Sequence, residues 1–127
     1  MYAKQDILNR AEALQLWHRV NLGTVLAHGP DLGARQMAIL TCVYLEAGPH
    51  TVRSLALRLR VTKAVITRAL NTLGGYGFVD RGPDPQDKRS VLVRRTAIGS
   101  RYLADFAQRI HFEAKTLKPT RQSSRVA

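Results

Sequence analysis

The sequence predicts a mainly α-helical protein with one small β-hairpin, a fold of the α+β class. Apolar residues recur at steps of three and four over most of the chain, which is the period of an amphipathic helix. Near residue 78 this period gives way to two short extended runs around a segment rich in Gly, Pro and charged residues, which is typical of a hairpin. The helical period then returns. The predicted order is therefore four helices, a hairpin and a fifth helix.

The first two helices are predicted from long apolar stripes and from the residues that end them. Residues 4–27 carry apolar side chains at helical spacing, and Gly29-Pro30 ends this helix because Gly and Pro interrupt helices. Residues 34–46 form a second, mostly buried helix that ends at Gly48-Pro49. We expect a turn at each of these two ends.

The third and fourth helices are short and follow one another closely. Thr51 lies where an N-cap is expected and opens a helix that ends near Leu59. Thr62 is the next N-cap candidate and opens a helix that runs to about Leu73, before a run of glycines. Two helices joined by so few residues indicate a helix-turn-helix.

The hairpin and the last helix complete the prediction. Residues 78–81 and 90–94 are the predicted strands, and residues 82–89 form the charged connection between them. Thr96 caps the fifth helix, which extends to about residue 116. Residues 117–127 have no apolar period and are predicted to be a disordered basic tail.

Composition narrows the class of protein. A chain of 127 residues favours one domain, and its net charge of +11 implies a polyanionic partner or an anionic membrane surface. Eleven Lys and Arg residues but only three Asp fall within residues 51–101. The single cysteine excludes an intrachain disulfide framework, and neither a membrane span nor a signal peptide is indicated. We therefore expect a soluble, basic, intracellular domain.

The fourth helix, residues 62–73, has the amphipathic pattern that major-groove recognition requires. A major groove admits one α-helix, which must present a polar face while its back is buried. Ile66, Leu70 and Leu73 form the inner stripe. The outer face carries Lys63, Ala64, Thr67, Arg68 and Asn71, whose types suit guanine or phosphate, adenine and thymine contacts. An ordinary solvated helix face is the alternative interpretation of this helix.

The sequence resembles the MarR family of bacterial transcription regulators. GFVDRGPDPQDKRSVLVRRTAIG at 77–99 is similar to the family's wing, and VTKAVITRALNTL at 61–73 is similar to its recognition helix. DLGARQMAIL at 31–40 is similar to the start of its second helix, except that Gly33 stands where the family usually has a capping Thr. The resemblance extends over about residues 31–103.

This resemblance implies a dimeric winged helix-turn-helix protein that binds double-stranded DNA in the bacterial cytoplasm, at the nucleoid. The recognition helix would enter the major groove, and the wing at 82–89 would carry Arg89 into the minor groove while Asp87 holds the wing tip. Residues 1–116 would form one domain, in which 4–30 and 97–116 are dimerisation helices and 31–96 is the DNA-binding lobe. Packing of the two terminal helices on each other within one chain is the alternative to dimerisation.

Together these arguments give a predicted set of DNA-binding residues: Thr51, Arg53, Thr62, Lys63, Ala64, Thr67, Arg68, Asn71, Arg81, Asp87, Lys88 and Arg89. A small-molecule inducer would contact Trp17, His18 and Tyr44, although aromatic residues at helical spacing are more often part of a core. No catalytic residues, metal site or cofactor are predicted. Cys42 lies among apolar residues and is interpreted as a small buried side chain.

Two functions remain open on the sequence. The first is a sequence-specific transcriptional regulator. The second is an architectural DNA-binding or protein-interaction module that acts through phosphate contacts or through a partner protein. The ratio of specific to non-specific affinity at fixed salt distinguishes the two.

Overall fold

The structure, a computed structural model, describes residues 7–120 of the chain. In order, its elements are α1 (Arg10–Leu26), α2 (Ala34–Leu45), β1 (His50–Thr51), α3 (Val52–Leu59), α4 (Lys63–Gly75), β2 (Val79–Asp84), β3 (Asp87–Arg95) and α5 (Ala97–Lys115). The predicted fold class is confirmed. No helix within this part of the chain has the length and apolar character needed to cross a membrane.

The elements divide into two compact units. The central unit comprises residues 32–103, and the terminal unit comprises the residues up to 31 and from 104 onward. The boundary therefore falls within α5. The assignment of the terminal helices to dimerisation, and of residues 31–96 to DNA binding, stays a prediction at this point.

Apolar side chains from α2, α3, α4 and the sheet form the core of the central unit. The largest fully buried side chains are Ile39, Leu40, Val43, Leu55, Ile66, Leu70 and Leu73. Their spacing of three and four within α2 and α4 puts them on one face of each helix. The opposite face of α4 is consequently left free for solvent or a partner.

Three predicted threonine caps are confirmed. Thr51, Thr62 and Thr96 each accept, through the side-chain hydroxyl, the backbone N–H three residues ahead, at 2.9, 3.3 and 2.9 Å respectively. Such caps satisfy N–H groups that have no partner within the helix. The starts of α3, α4 and α5 are therefore set by local chemistry that the sequence discloses.

The hairpin differs from the prediction in length. Strands β2 and β3 pair antiparallel from Val79↔Arg95 to Asp84↔Asp87, with a register shift at Pro83/Asp84. The segment predicted as an eight-residue connection, 82–89, is therefore mostly paired. Gly, Pro and charged residues have low β-propensity, so the sequence did not predict strands there. Their backbone groups nevertheless continue the pairing of β2 with β3.

The sequence also missed β1. His50 and Thr51 pair with Val93 and Leu92, which gives a three-stranded sheet in the order β1-β3-β2. A strand of two residues carries no alternating pattern, so nothing in the sequence indicated it.

The first helix begins later than predicted. Asn9 is its N-cap: the side chain accepts the Glu12 N–H at 2.9 Å, and the Glu12 carboxylate accepts the Asn9 N–H at 3.0 Å. This reciprocal capping box starts the helix at Arg10 rather than at residue 4, although apolar residues precede it. Residues 4–6 of the predicted helix lie outside the described residues.

Residues 117–120, which were predicted to belong to a disordered tail, form hydrogen bonds with α1. The Lys118 N–H donates to the Gln15 side chain at 3.0 Å, and the Thr120 N–H donates to Glu12 at 3.3 Å. The Asn9 side chain donates to the Thr120 carbonyl at 2.8 Å. These polar contacts along α1 follow no apolar period, so the sequence pattern did not indicate them. Residues 121–127 of the predicted tail lie outside the described residues.

Tyr44 joins α2 to the base of the wing and to the start of α5. Its hydroxyl lies 2.8 Å from the Phe78 carbonyl and 3.1 Å from the Thr96 carbonyl, and it accepts the Thr96 N–H at 2.9 Å. A Cβ on the buried Gly99 would collide with the Tyr44 hydroxyl and the Phe78 carbonyl. Glycine at this position therefore lets α5 approach the Tyr44 hydroxyl and the base of the wing closely.

Candidate nucleic-acid interface

The outer face of α4 is exposed as the sequence predicts. Lys63, Ala64, Thr67, Arg68 and Asn71 are all exposed, while the apolar face of the same helix is buried. At about 100° per residue, Thr67, Asn71 and Ala64 occupy the middle of this face. Lys63 and Arg68 occupy its two opposite margins.

A groove of about 430 Å³ lies between one margin of α4 and the wing. We call it the wing groove. It is lined by Val52, Arg53, Lys63, Thr67, Asp87, Arg89, Ser90 and Val91. The groove thus brings together five of the predicted DNA-binding residues, which come from α3, α4 and β3. Residues more than thirty positions apart in the chain meet there.

Within the wing, Asp87 holds the backbone of Arg89. The Asp87 carboxylate accepts the Arg89 N–H at 3.1 Å and lies 3.6 Å from the Arg89 Nε. The Arg89 side chain is 93% exposed, against 49% for Asp87. An ion pair this exposed adds little stability. Orientation of the Arg89 guanidinium by Asp87 stays a prediction.

A second groove, of about 510 Å³, lies along the other margin of α4. We call it the α2–α4 groove, and it is lined by Gly33, Ala34, Arg35, Gln36, Val65, Arg68, Ala69 and Thr72. Arg35 is a cation that the sequence analysis did not assign to the site. Only its exposed position in the first turn of α2 could have indicated it. The Gln36 side chain accepts the Gly33 N–H at 3.0 Å, which is the half of a capping box that a glycine N-cap still allows.

The remaining predicted residues do not line either groove. The hydroxyls of Thr51 and Thr62 cap helices. Lys88 is exposed beside the wing turn. The Arg81 guanidinium lies near Gly74 at the end of α4, 3.9 Å from where a Cβ would be placed on that glycine. Ala64 and Asn71, on the exposed face of α4, likewise line neither groove, and DNA-binding roles for all the predicted residues stay predictions.

Most cations of the interface are not neutralised within the chain. In residues 7–120, Arg35, Arg53, Lys63 and Arg68 form no ion pair. Other arginines are paired, as in the bidentate contact of Arg58 with Glu46 at 2.7 and 2.9 Å. The hydrogen bonds from Arg58 lower the pKa of Glu46. Of the basic residues that line the two grooves, only Arg89 forms an ion pair within the described chain, with Asp87, and the other four are left to meet an external anion.

Cys42 is partly rather than fully buried, and it lies near Glu46 and Arg58 and not only among apolar residues. Burial, followed by the neighbouring Glu46 carboxylate, raises the pKa of the Cys42 thiol above its ordinary value. A raised pKa reduces the thiolate fraction and hence the reactivity. Among the described residues, no three His, Cys, Asp or Glu side chains are grouped so that they could hold a metal ion.

The proposed ligand-contacting residues have different surroundings. Trp17 and His18 are exposed on α1 in the terminal unit. Tyr44 belongs to the central unit, where its hydroxyl takes part in the contacts with Phe78 and Thr96. Tyr44 therefore has a structural role, and ligand binding by Trp17, His18 and Tyr44 stays a prediction.

A helix with a polar outer face, preceded by a short helix and followed by a charged antiparallel hairpin, defines the winged helix-turn-helix class. The model of the MarR family matches residues 32–91. The chain is 30% identical to a mutant MarR from E. coli whose structure was solved in complex with operator DNA, over 87% of this chain and 76% of that one, with a TM-score of 0.61. This chain belongs to the MarR family.

Two further relatives extend the comparison. The HTH-type transcriptional regulator YdcH of Bacillus subtilis is 37% identical over 91 residues, which are 69% of this chain and 60% of that protein. The PcaV transcriptional regulator of Streptomyces coelicolor, solved in complex with its natural ligand, is 27% identical over 84% of this chain and 73% of that one, with a TM-score of 0.59. The chain spans about half to three-fifths of the length of the first curated relatives that it matches.

Proposed function

We propose that this protein is a sequence-specific, double-stranded DNA-binding regulator of transcription that acts at the bacterial nucleoid. The observation that supports this most directly is the wing groove, which assembles Arg53, Lys63, Thr67 and Arg89 beside the exposed face of α4. A cationic groove next to an exposed polar helix suits a duplex, because the helix fits a major groove while cations meet the phosphates.

In this proposal α4 lies in the major groove with the middle of its outer face toward the bases. Asn71 can form paired hydrogen bonds with adenine, and Thr67 and Ala64 can contact a thymine methyl group. Lys63 and Arg53 lie at the margin that faces the wing and neutralise phosphates. Base contacts and phosphate contacts thus come from different parts of one surface.

The wing contributes Arg89 to the adjacent minor groove. Narrow A·T-rich minor grooves concentrate negative potential and attract arginine. Because Asp87 accepts the Arg89 N–H at 3.1 Å, the arginine is partly oriented before it meets DNA. Orientation in advance reduces the entropy lost on binding.

Dimerisation through the terminal unit is the second part of the proposal. Large apolar side chains on α1 and on the C-terminal half of α5 are exposed in the single chain: Leu14, Trp17, Leu22, Val25, Leu26, Ile110 and Phe112. Soluble monomers seldom expose so many apolar side chains on one unit. A second copy of the chain would cover them and would place two recognition helices on one operator.

A small-molecule inducer is a further proposal, supported by the PcaV structure with its natural ligand. Trp17 and His18 would contact such a ligand. Thermal shift with a panel of small molecules tests the idea, and a stabilisation that Trp17→Ala removes is the expected result.

The salt dependence of DNA binding tests the main proposal. A duplex selected by the protein from a random library, and a shuffled duplex of the same composition, are titrated over a range of salt concentrations. Each neutralised phosphate contributes about −0.9 to the log–log slope. We expect a slope steeper than about −3 for the selected duplex and an affinity at least about a thousandfold above the shuffled one.

Other outcomes of this titration would contradict the proposal. Equal affinity for both duplexes would favour the architectural alternative, since phosphate contacts alone do not distinguish sequences. A slope shallower than about −3 would leave the basic surface without its proposed role.

A further inference from the structure

The α2–α4 groove contains two guanidinium groups that the proposed function does not yet use. Arg35 comes from the first turn of α2 and Arg68 from the outer margin of α4, and both line the same open groove of about 510 Å³. No carboxylate side chain is among the residues that line it. This groove lies along the margin of α4 opposite to the wing groove, whose α4 residues are Lys63 and Thr67.

Neither arginine has a counterion within the described chain. Across residues 7–120, Arg35 and Arg68 take part in none of the ion pairs. The Gln36 side-chain oxygen, which also lines the groove, already accepts the Gly33 N–H at 3.0 Å. Two like charges in one groove repel each other unless an anion lies between them.

The chemistry of the pair selects a particular kind of anion. A guanidinium group can direct two N–H donors at one anion. This geometry matches the paired oxygens of a planar carboxylate or of a tetrahedral phosphate. The groove is open along its length and is not an enclosed pocket. It therefore suits an anion that belongs to a continuous chain, such as a phosphodiester.

We propose that Arg35 and Arg68 together bind one phosphodiester of the DNA strand that borders the major groove on the side away from the wing. The inference rests on the proposed function, since a helix seated in a major groove about 12 Å wide has a phosphate backbone on each side. It assigns Arg68 to phosphate, where the sequence left guanine and phosphate open, and it adds Arg35 to the interface. The recognition helix is then held between two phosphate contacts, one on each margin.

The test compares Arg35→Ala, Arg68→Ala, the double variant and Arg35→Lys on the selected and shuffled duplexes. Each alanine variant should weaken binding to both duplexes by a similar factor, about tenfold, because phosphates carry no sequence information. The affinity of the double variant should fall by less than the product of the two single factors, since both side chains hold the same phosphate. Its log–log salt slope should become shallower by about one unit, because one phosphate contact is lost. Arg35→Lys should weaken binding less than Arg35→Ala but should not restore it fully, because lysine keeps the charge and loses the two-donor fork. Arg10→Ala, which removes an exposed arginine from α1, is the charge-matched control and should leave affinity unchanged.

A second measurement locates the contact on the DNA. Duplexes that carry a neutral methylphosphonate at successive positions should include one position at which wild type and Arg35→Ala bind equally, because the partner charge is already absent. Unchanged binding by Arg35→Ala would overturn the inference, and so would a relaxed base preference in Arg68→Ala. In either case the proposed function would still stand, provided that the wild type binds DNA. A wild-type chain that binds neither duplex would instead remove the proposed function and this inference with it.

Discussion

At the wing tip, two opposing effects act through Asp87. Its negative charge repels DNA phosphates, so simple electrostatics favours tighter binding when it is removed. Its carboxylate also accepts the Arg89 N–H at 3.1 Å, so removal would leave Arg89 to be ordered on contact. Ordering one such side chain costs about 0.5–1.5 kcal/mol. At physiological salt the Debye length is only about 8 Å, which weakens the repulsion.

The orienting effect should therefore prevail near physiological salt. We expect Asp87→Ala to weaken binding to the selected duplex at about 0.15 M salt, and Arg89→Ala to weaken it more, since the second change removes the contact itself. Fluorescence anisotropy over a salt series measures both. Asp105→Ala removes an equal charge from the exposed surface of α5 and should have no such effect. Tighter binding by Asp87→Ala at this salt would show that Asp87 is only a surface charge.

Gly99 is a position at which the fold cannot accommodate a side chain. A Cβ there would collide with the Tyr44 hydroxyl and the Phe78 carbonyl, which themselves are hydrogen-bonded to each other. We expect Gly99→Ala to lower the free energy of unfolding by about 1–3 kcal/mol, the usual cost of overpacking. Urea denaturation measures the change.

Gly75 supplies the matched control for this substitution. It is the last residue of α4, and an added Cβ would meet nothing within 4 Å. Gly75→Ala should leave stability unchanged or raise it by up to about 1 kcal/mol, because alanine loses less backbone entropy on folding. Equal effects of the two alanine substitutions would contradict the close approach at Gly99.

At the scale of elements, the turn between α3 and α4 sets the geometry of the helix-turn-helix. Arg60 ends α3 in the left-handed region at φ 58°, and the Val61 N–H donates to the Ala56 carbonyl at 3.0 Å. This bond pattern is that of a Schellman motif, which favours glycine at the left-handed position. Arginine is tolerated there at a cost of about 1 kcal/mol.

Arg60→Gly should consequently stabilise the protein. We expect the free energy of unfolding to rise by about 0.5–1 kcal/mol, because glycine adopts positive φ without steric cost. Arg53→Gly, within the first turn of the same helix, removes the same charge and should destabilise by a similar amount. Thermal unfolding of both variants gives the comparison, and a destabilised Arg60→Gly would contradict the strain argument.

The elements that the sequence predicted well are those whose signals are local. Thr62 and the apolar stripe of α4 gave both the start of the recognition helix and the face that is exposed, since capping and helical period act within a few residues. The wing residues Asp87 and Arg89 were recognised by resemblance, and the structure adds the hydrogen bond that joins them.

The elements that were missed depend on partners distant in sequence. Strand β1 exists because His50 pairs with Val93, and residues 117–120 are held by side chains of α1. Arg35 joins Arg68 in one groove only because α2 packs against α4. Neither register nor helix packing can be read from local periodicity, so these features required the structure.

On the scale of the whole molecule, positive charge is concentrated in the central unit, while nine of the fourteen exposed large apolar side chains in the described residues belong to the terminal unit. Eleven Lys and Arg residues fall in 51–101, all within the central unit. Exposed large apolar side chains are concentrated on α1 in the terminal unit, with Trp17 68% exposed. The first surface suits a polyanion and the second suits another apolar surface, so the two units would carry the two parts of the proposed function.

This separation allows the dimer to be tested without unfolding the chain. Trp17→Glu should convert a wild-type dimer to a monomer, because an interface would bury the new charge while the exposed position in a single chain tolerates it. Its monomer should keep the helical content of the wild type. Leu45→Glu places the same charge on an apolar side chain that is 79% exposed in the central unit, and it should leave the mass unchanged. Light scattering at micromolar concentration gives the masses. A wild-type mass of one chain would contradict the dimer, and a dimeric Trp17→Glu would exclude this face of α1 from the interface.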